Sequence, residues 1–442
     1  MTHNEIAKCN EIAQYALKAL LKAGADKAAC IASCGRKNEF NVEANKFTLM
    51  RTLFNDHLNL KAIKDGKKGV MAINKLDRDS VDEAVSGCMA LTSSASPDEA
   101  EDIAEKAGNK SFDQSLGGVS MDKLFYRTRN FIEQVNDEFK KIILESVVTD
   151  FNSTRTVYVN SNGVEFNSDC ESYGLQTMFS AKDGEKSSSF NGFGAALATL
   201  DKPLIDLDMH RSLLSGSELS LDTRMIDGKF VGKVIVTPAC VDMIWETIID
   251  CFLSDRSMVE GTSRWKDALG TRVADSKLTL RFSPCHPDIV AGERFTSDGF
   301  ESVDMDIIRD GVLKSFALSL YGSRKTNRIR AANTAFGSIE VAAGSTPLQD
   351  MIKGIDRGIL LNRFSGGMSG PSGDISGVAK NSFLIEKGAV TDALKETMVS
   401  FNIVDVLENI TAISSERCFN GITVLPWCCF DGITISGGEP RP

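Results

Sequence analysis

Apolar positions recur at three- and four-residue steps through Cys9, Ala13, Ala16, Leu17 and Leu20, and Gly24 follows them. That spacing predicts an N-terminal helix ended by a glycine. The pattern then changes to alternation in "KAACIAS", "NEFNVEA" and "LNLKAIKDGKKGVMAI", with "KDGKKG" reading as a hairpin turn between two strands. Asp79 is positioned to cap a helix through Val85 and Met89, and Ser96 and Glu99 around Pro97 read as a capping box for a short acidic helix. "SLGG", 115–118, reads as a linker. Beyond it Ser120 caps a helical pattern, and Asn162-Gly163 lies between two alternating runs as a hairpin signal. A break near "DGK", 227–229, opens a region rich in short strands and glycine turns. There "KVIVT" leads into Thr237, a cap, and Pro238, a helix first residue. "LTLRF", "MDIIRDGVLKSFALSL", "NSFLIEKGAV" and "GITIS" read as antiparallel strands of a barrel or sandwich.

These elements predict an α+β protein. N-terminal α/β layers, 1–115 and 119–228, precede a strand-rich C-terminal domain, 229–442. With 442 residues the chain exceeds one ordinary domain. A net charge of −10 argues against direct nucleic-acid binding, which needs a basic surface. No apolar run approaches the roughly 20 residues that cross a bilayer, and the N-terminus has no signal-peptide core. Eleven scattered cysteines, an odd number without CxxC, suit reduced thiols in a cytoplasmic protein. Only four histidines occur, none with a second nearby, so no local two-histidine metal motif exists.

The stretch "MIWETIIDCF", 243–252, carries the candidate chemistry. Asp242, Glu246 and Asp250 are spaced by four and predict one acidic stripe on a helix. Val241, Ile244, Trp245, Ile248 and Phe252 form a neighbouring apolar stripe. The acids read either as a solvated edge or as a hard-metal or general-base site; carboxylates alone suit magnesium or calcium better than zinc.

With its surroundings, "VTPACVDMIWETIIDCF" resembles the helix of the TldD/PmbA (TldD/TldE) metalloprotease family, also called modulators of DNA gyrase. "VNSNGVEF", "SDGFESVDMDIIRDGVLKSFALSLYGSRK" and "SGGMSGPSGDISGVAKNSFLIEKGAV" resemble other stretches of that family in the same order. Catalytic TldD-type members carry HExxxH on this helix. By the resemblance the first histidine falls on Trp245, the glutamate on Glu246 and the second histidine on Asp250. The chain keeps the glutamate alone and is closer to the PmbA/TldE branch, which lacks the zinc motif. A cysteine near the C-terminus is the third zinc ligand in TldD-type members; Cys418, Cys428 and Cys429 lie in that region.

The resemblance implies a PmbA/TldE-like subunit in proteolysis of unfolded or modified peptides, itself a non-catalytic pseudo-enzyme. It implies no metal or cofactor in this chain, zinc in a TldD-type partner, and a heterodimer with that partner or a homodimer. An indole at 245 is expected to pack in the core. The peptide-binding candidates are the glycines Gly366, Gly367, Gly370 and Gly373, and Arg324 and Lys325 of a basic cluster with Arg328 and Arg330. Tight turns and solvated charge are the structural alternatives for both groups. The competing expectation is an independent hydrolase that uses another metal at Glu246, Asp250 and Asp242, or Cys418 as nucleophile with His210 or His286 as base.

Overall fold

The computed structural model describes residues 3–105, 108–333, 338–367 and 370–437, with side chains from Lys8 onward. Helix α1, His3–Lys22, packs on strand β1, Lys27–Glu43. β2, Lys46–Lys64, and β3, Lys67–Ile73, follow, then helix α2, Arg78–Ser94. After β4, Asn109–Gln114, come α3, Met121–Glu138, and the long pair β5, Ile142–Asn160, and β6, Glu165–Asp183. β7, Asn191–Leu197, and α4, His210–Leu219, complete this half. Its sheet has the order β3-β2-β1-β5-β6-β4, with β7 also antiparallel to β6. Strands from both sides of 115–118 therefore share one sheet.

β8, Lys229–Val236, opens the second half and leads into α5, Pro238–Ile248. Further along lie α6, Asp255–Val259; β9, Leu280–Phe282; β10, Met305–Arg309; α7, Leu320–Thr326; and β11, Ile339–Val341. Then come β12, Arg357–Leu361; β13, Arg363–Gly366; β14, Asp374–Lys380; β15, Phe383–Glu386; and β16, Ala389–Lys395. β17, Thr397–Asn402; β18, Ile410–Phe419; and β19, Val424–Ser436, complete the strands. The order β10-β9-β11-β19-β8-β12-β15-β16 branches at β19, which also pairs with β17 and β18. The pairing is mixed rather than wholly antiparallel: β8–β12 and β11–β19 run parallel. Each parallel pair is separated in sequence by a long crossover, as parallel strands require. The fold is α+β with a strand-rich C-terminal half, as the pattern predicts.

Local departures from the expectation have physical causes. "KAACIAS" and "NEFNVEA" are one uninterrupted strand, because β1 is paired along its length by β2 and β5. Asp77, not Asp79, caps α2, accepting from Ser80 N at 2.9 Å. Residues 96–100 make no helix. Pro97 bridges to Lys67, and Asp98 instead accepts from Ala100 N, Tyr321 and Lys325. The Asn162-Gly163 hairpin exists, but Asn160 organises it: its Oδ1 accepts from the N–H groups of Asn162 and Val164, both at 3.0 Å. Ser120 caps α3 as expected. No helix of the described residues is long and apolar enough to cross a membrane.

Candidate functional site

Helix α5 begins where Pro238 fixes its first turn after Thr237. Thr237 takes the cap position, but its hydroxyl makes no capping bond and is buried without a partner. The apolar stripe is buried throughout: Val241, Ile244, Trp245, Ile248 and Phe252 join the main core under the second sheet. Phe252 packs on Trp265 with ring centroids 5.0 Å apart. The Trp245 indole is fully enclosed, and its Nε1–H has no acceptor.

The opposite side of α5 faces a cleft of about 420 Å³ between the two halves of the molecule. β7 supplies Gly192 to Gly194, the approach to α4 supplies Asp208, the end of β18 supplies Cys418 and the β18–β19 connection supplies Asn420. Asp242 and Glu246 enter from α5, and the rest of the wall is largely apolar. The halves are stitched at its rim. Ala196 N donates across it to Asn420 O at 2.8 Å, and within the C-terminal half Val290 N donates to Gly421 O at 2.9 Å. Gly421 has φ +77, and a Cβ there would lie 1.8 Å from Ala196 O. Only glycine fits that junction.

The cleft is acidic. Burial pushes the Asp242 carboxyl up to about 6, and the Glu246 charge one turn away acts in the same direction. Asp242 Oδ1 accepts from Met243 N at 2.8 Å. Burial also raises Asp208, although its Oδ2 accepts from Phe419 N at 3.1 Å. The Cys418 thiol is pushed up to about 12, first by burial and then by the Asp208 charge. At neutral pH this thiol stays protonated and weakly nucleophilic.

Asp250 does not continue the stripe, a correction to the even spacing of the sequence. Past Ile248 the helix widens to a π turn over Ile249–Leu253, which changes the angular step per residue. Asp250 consequently lines a separate hollow of about 220 Å³ with Arg256, Glu260 and Gly370. Position 245 is core and position 250 is exposed elsewhere, so the two do not face one cavity.

This donor set does not fit a catalytic zinc. Such a site takes neutral imidazole, thiolate or carboxylate donors that converge with one position left open. An indole N–H donates rather than coordinates, Asp250 points away, and Cys418 is held as a thiol. Cys428 and Cys429 are buried in the sheet opposite Val236 and Ile235. Among the described residues no group of three or more His, Cys, Asp or Glu side chains is arranged to hold a metal ion.

His210 is also committed elsewhere. Its Nδ1–H donates to Leu204 O at 2.8 Å, leaving Nε2 to accept from Thr177 at 3.2 Å. Its ring stacks on Phe131 and Phe193, and burial pulls it down to about 4. His286 Nδ1 accepts from Asp288 N at 3.1 Å.

The peptide-binding candidates lie outside this cleft. Arg324 and Lys325 on α7 pair with Asp102 and Asp98, and Tyr321 donates to Asp98 at 3.2 Å. Arg328 and Arg330 face Asp267 and Asp298. The basic cluster thus ties the C-terminal half largely to the 98–102 segment. Gly366 closes the β13–β14 hairpin opposite Gly377, where a Cβ would strike Phe364 at 2.5 Å. Gly367 and Gly370 have open space around them. Gly373 has φ +79, and a Cβ added there would lie 3.3 Å from the Phe252 ring. Residues 368–369 of this loop lie outside the described residues.

Sequence reasoning overlooked Asp208 and β7. Asp208 has no motif around it. β7 carried a usable signal, since alternate glycines in "NGFG" mark a strand that something approaches closely.

Residues 228–437 match the family model of the PmbA/TldA metallopeptidase C-terminal domain. The metalloprotease PmbA of Escherichia coli O157:H7 is 27% identical over 153 residues, 34% of each chain. The metalloprotease MJ0996 of Methanocaldococcus jannaschii is 24% identical over 226 residues, 48% of each chain. The chain therefore spans a third to a half of the length of these curated relatives. TldE from Thermococcus kodakarensis superposes with a TM-score of 0.80 at 18% identity, over 97% of this chain and 100% of that one. A Bacteroides thetaiotaomicron protein described as a candidate modulator of DNA gyrase gives 0.83 at 20% identity, over 97% and 99%. These two structures share the fold.

Proposed function

The chain belongs to the PmbA/TldE family, and on that premise we propose that it is a non-catalytic, peptide-binding subunit of a TldD/TldE-type zinc metallopeptidase. Its partner is a TldD-type chain or a second copy, and the zinc belongs to the TldD-type chain. The assembly acts on unfolded or modified peptides in the cytoplasm. The observation that carries the reading is the orientation of α5. Glu246 reaches the cleft while position 245 is committed to the core and position 250 to another hollow. Without a metal-bound water Glu246 has no evident proton to transfer. What Glu246 and Asp242 retain is charge in an apolar-walled cleft, a means of holding and orienting a peptide.

The test is hydrolysis of an unfolded peptide by the chain alone, by a TldD-type chain alone, and by the mixture. The reading expects cleavage in the mixture beyond that of the TldD-type chain and none from this chain by itself. Metal-dependent cleavage by this chain alone would overturn it.

A second reading, a cysteine hydrolase, has one observation in its favour: Cys418 faces the cleft. It requires a thiolate and a base, yet the thiol is raised and both His210 nitrogens are engaged. Cleavage abolished by Cys418→Ser in the isolated chain would establish it.

A further inference from the structure

The cleft carries charge that no lining residue answers. Asp242 and Glu246 stand one turn apart on α5, and Asp208 enters from the approach to α4. Among the described residues none of the three carboxyls makes an ion pair. The Glu246 carboxylate has no hydrogen-bond partner there either, and Asp242 accepts from the N–H of its neighbour Met243. Acids at other recessed positions each hold a lysine or arginine: Glu39 with Arg51, Asp102 with Lys27 and Asp306 with Arg281. No lysine or arginine lines the cleft. Lys202 is the cation whose charge reaches Asp208, and it is exposed outside the lining.

The walls around these acids are apolar, with Met209, Leu213, Ile422 and Leu425 among them. Burial raises Asp242 and Asp208, and the Glu246 charge raises Asp242 further. Ionised carboxylates are therefore kept there at a cost that an incoming cation would relieve. A bare metal ion is a poor match, because the carboxyls do not converge as a ligand set. A volume of about 420 Å³ suits a small ligand or a short stretch of peptide, not a folded partner. The complement of this cavity is a long aliphatic stem ending in a positive group. The stem lies along apolar wall and the charge meets carboxylate. An acidic side chain would be repelled, and a neutral one would cover the carboxylates without pairing them.

We propose that the cleft binds the side chain of a lysine or arginine within an unfolded peptide that has apolar residues on either side of it. Asp242 and Glu246 hold the cationic head, and Asp208 adds to the field from the α4 side. The inference rests on the reading of the cleft as a peptide site and adds which peptides it selects. The substrate class follows: segments that carry a cation among apolar residues, rather than acidic or purely apolar ones. The selection needs no metal and no covalent step in this chain.

The test is fluorescence anisotropy of the full chain with peptides carrying a neutral fluorophore, N-acetylated and C-amidated so that one side chain is the only ionisable group. The first peptide has a central lysine between leucines; its controls replace the lysine by norleucine or glutamate. The lysine peptide is expected to bind at least about tenfold more tightly than the norleucine peptide, the worth of one charge-assisted pair. The glutamate peptide is expected to bind more weakly than both. Asp242→Asn/Glu246→Gln is expected to bring the lysine-to-norleucine ratio close to one, with circular dichroism showing a folded chain. Glu246→Gln alone, at an exposed side chain, is expected to lower the ratio as well, so the test survives if the double variant does not fold. Asp137→Asn, which removes a charge from the exposed end of α3, is expected to keep the ratio. Equal binding of lysine and norleucine peptides would overturn the inference and leave the peptide-site reading standing. A lysine preference that survives both cleft variants would overturn it too, by putting the cation elsewhere. If no peptide binds, the inference and the peptide-binding part of the proposed function fall together, while stimulation of a TldD-type chain would still support the subunit reading.

Discussion

Trp245 and Glu246 are adjacent in sequence and serve opposite sides of one helix. The indole is wholly enclosed in the core under the second sheet, and the carboxylate is exposed in the cleft between the halves. The helix therefore divides into a core face and a cleft face, and the proposed loss of chemistry falls at that division.

Trp245→Ala should destabilise the chain by about 3–5 kcal/mol, the usual cost of removing a large buried aromatic. Trp245→Phe should cost clearly less, since it keeps most of the packing and removes an N–H that has no acceptor. Denaturant unfolding of both variants checks the order. An alanine variant as stable as the parent would place the indole outside the core.

Asp242 makes stability pH-dependent. Its folded value is raised to about 6 from an ordinary 3.8, so the folded state prefers the protonated form. Below pH 4 the group is protonated folded and unfolded and has no effect. Between pH 4 and 6 the unfolded chain ionises first, and stability falls as pH rises. Asp242→Asn should therefore be neutral near pH 3.5 and stabilise by about 1–2 kcal/mol at pH 7. Unfolding midpoints across that range measure it; a destabilised variant at pH 7 would contradict it.

Gly421→Ala should loosen the junction that forms the cleft rim. The residue has positive φ, and an added Cβ would meet the Ala196 carbonyl. A loss of about 2 kcal/mol or more is expected, since the conformational cost and the backbone clash add. Hydrogen exchange should show the change first at the Ala196–Asn420 and Val290–Gly421 bonds.

Arg324 and Asp102 should show a coupling of about 1 kcal/mol or less in a double-mutant cycle, because the arginine is partly exposed. Peptide affinity should not change with Arg324→Ala. A large loss of affinity without loss of stability would instead assign this residue a binding role.

Much of this fold is written in local chemistry. The α5 start at Thr237-Pro238, the Ser120 cap and the apolar stripe through Trp245 all follow from residue type and spacing. Turns at Asp65-Gly66 and Lys387-Gly388 do so as well, each residue having positive φ. The cleft was legible only in part. Glu246 and Cys418 stood out by resemblance, but their meeting depends on the packing of two distant halves, which no local pattern encodes. The same limit hid Asp208. The divergence of Asp250 was illegible because spacing by four assumes a uniform helix, and nothing in "TIIDCF" announces a π turn. In sequence Asp98 and Asp102 fall where a short acidic helix is expected; only the tertiary fold brings α7 and its cations against them.

The measurement that tests the central claim most directly is the zinc content of the purified chain, by mass spectrometry after equilibration with buffered zinc and no chelator. The claim predicts far less than one zinc retained per chain, with the metal recovered in a TldD-type partner when the two are mixed. About one tightly held zinc per chain, lost on Glu246→Gln or Cys418→Ser, would contradict it and make this cleft a catalytic centre in its own right.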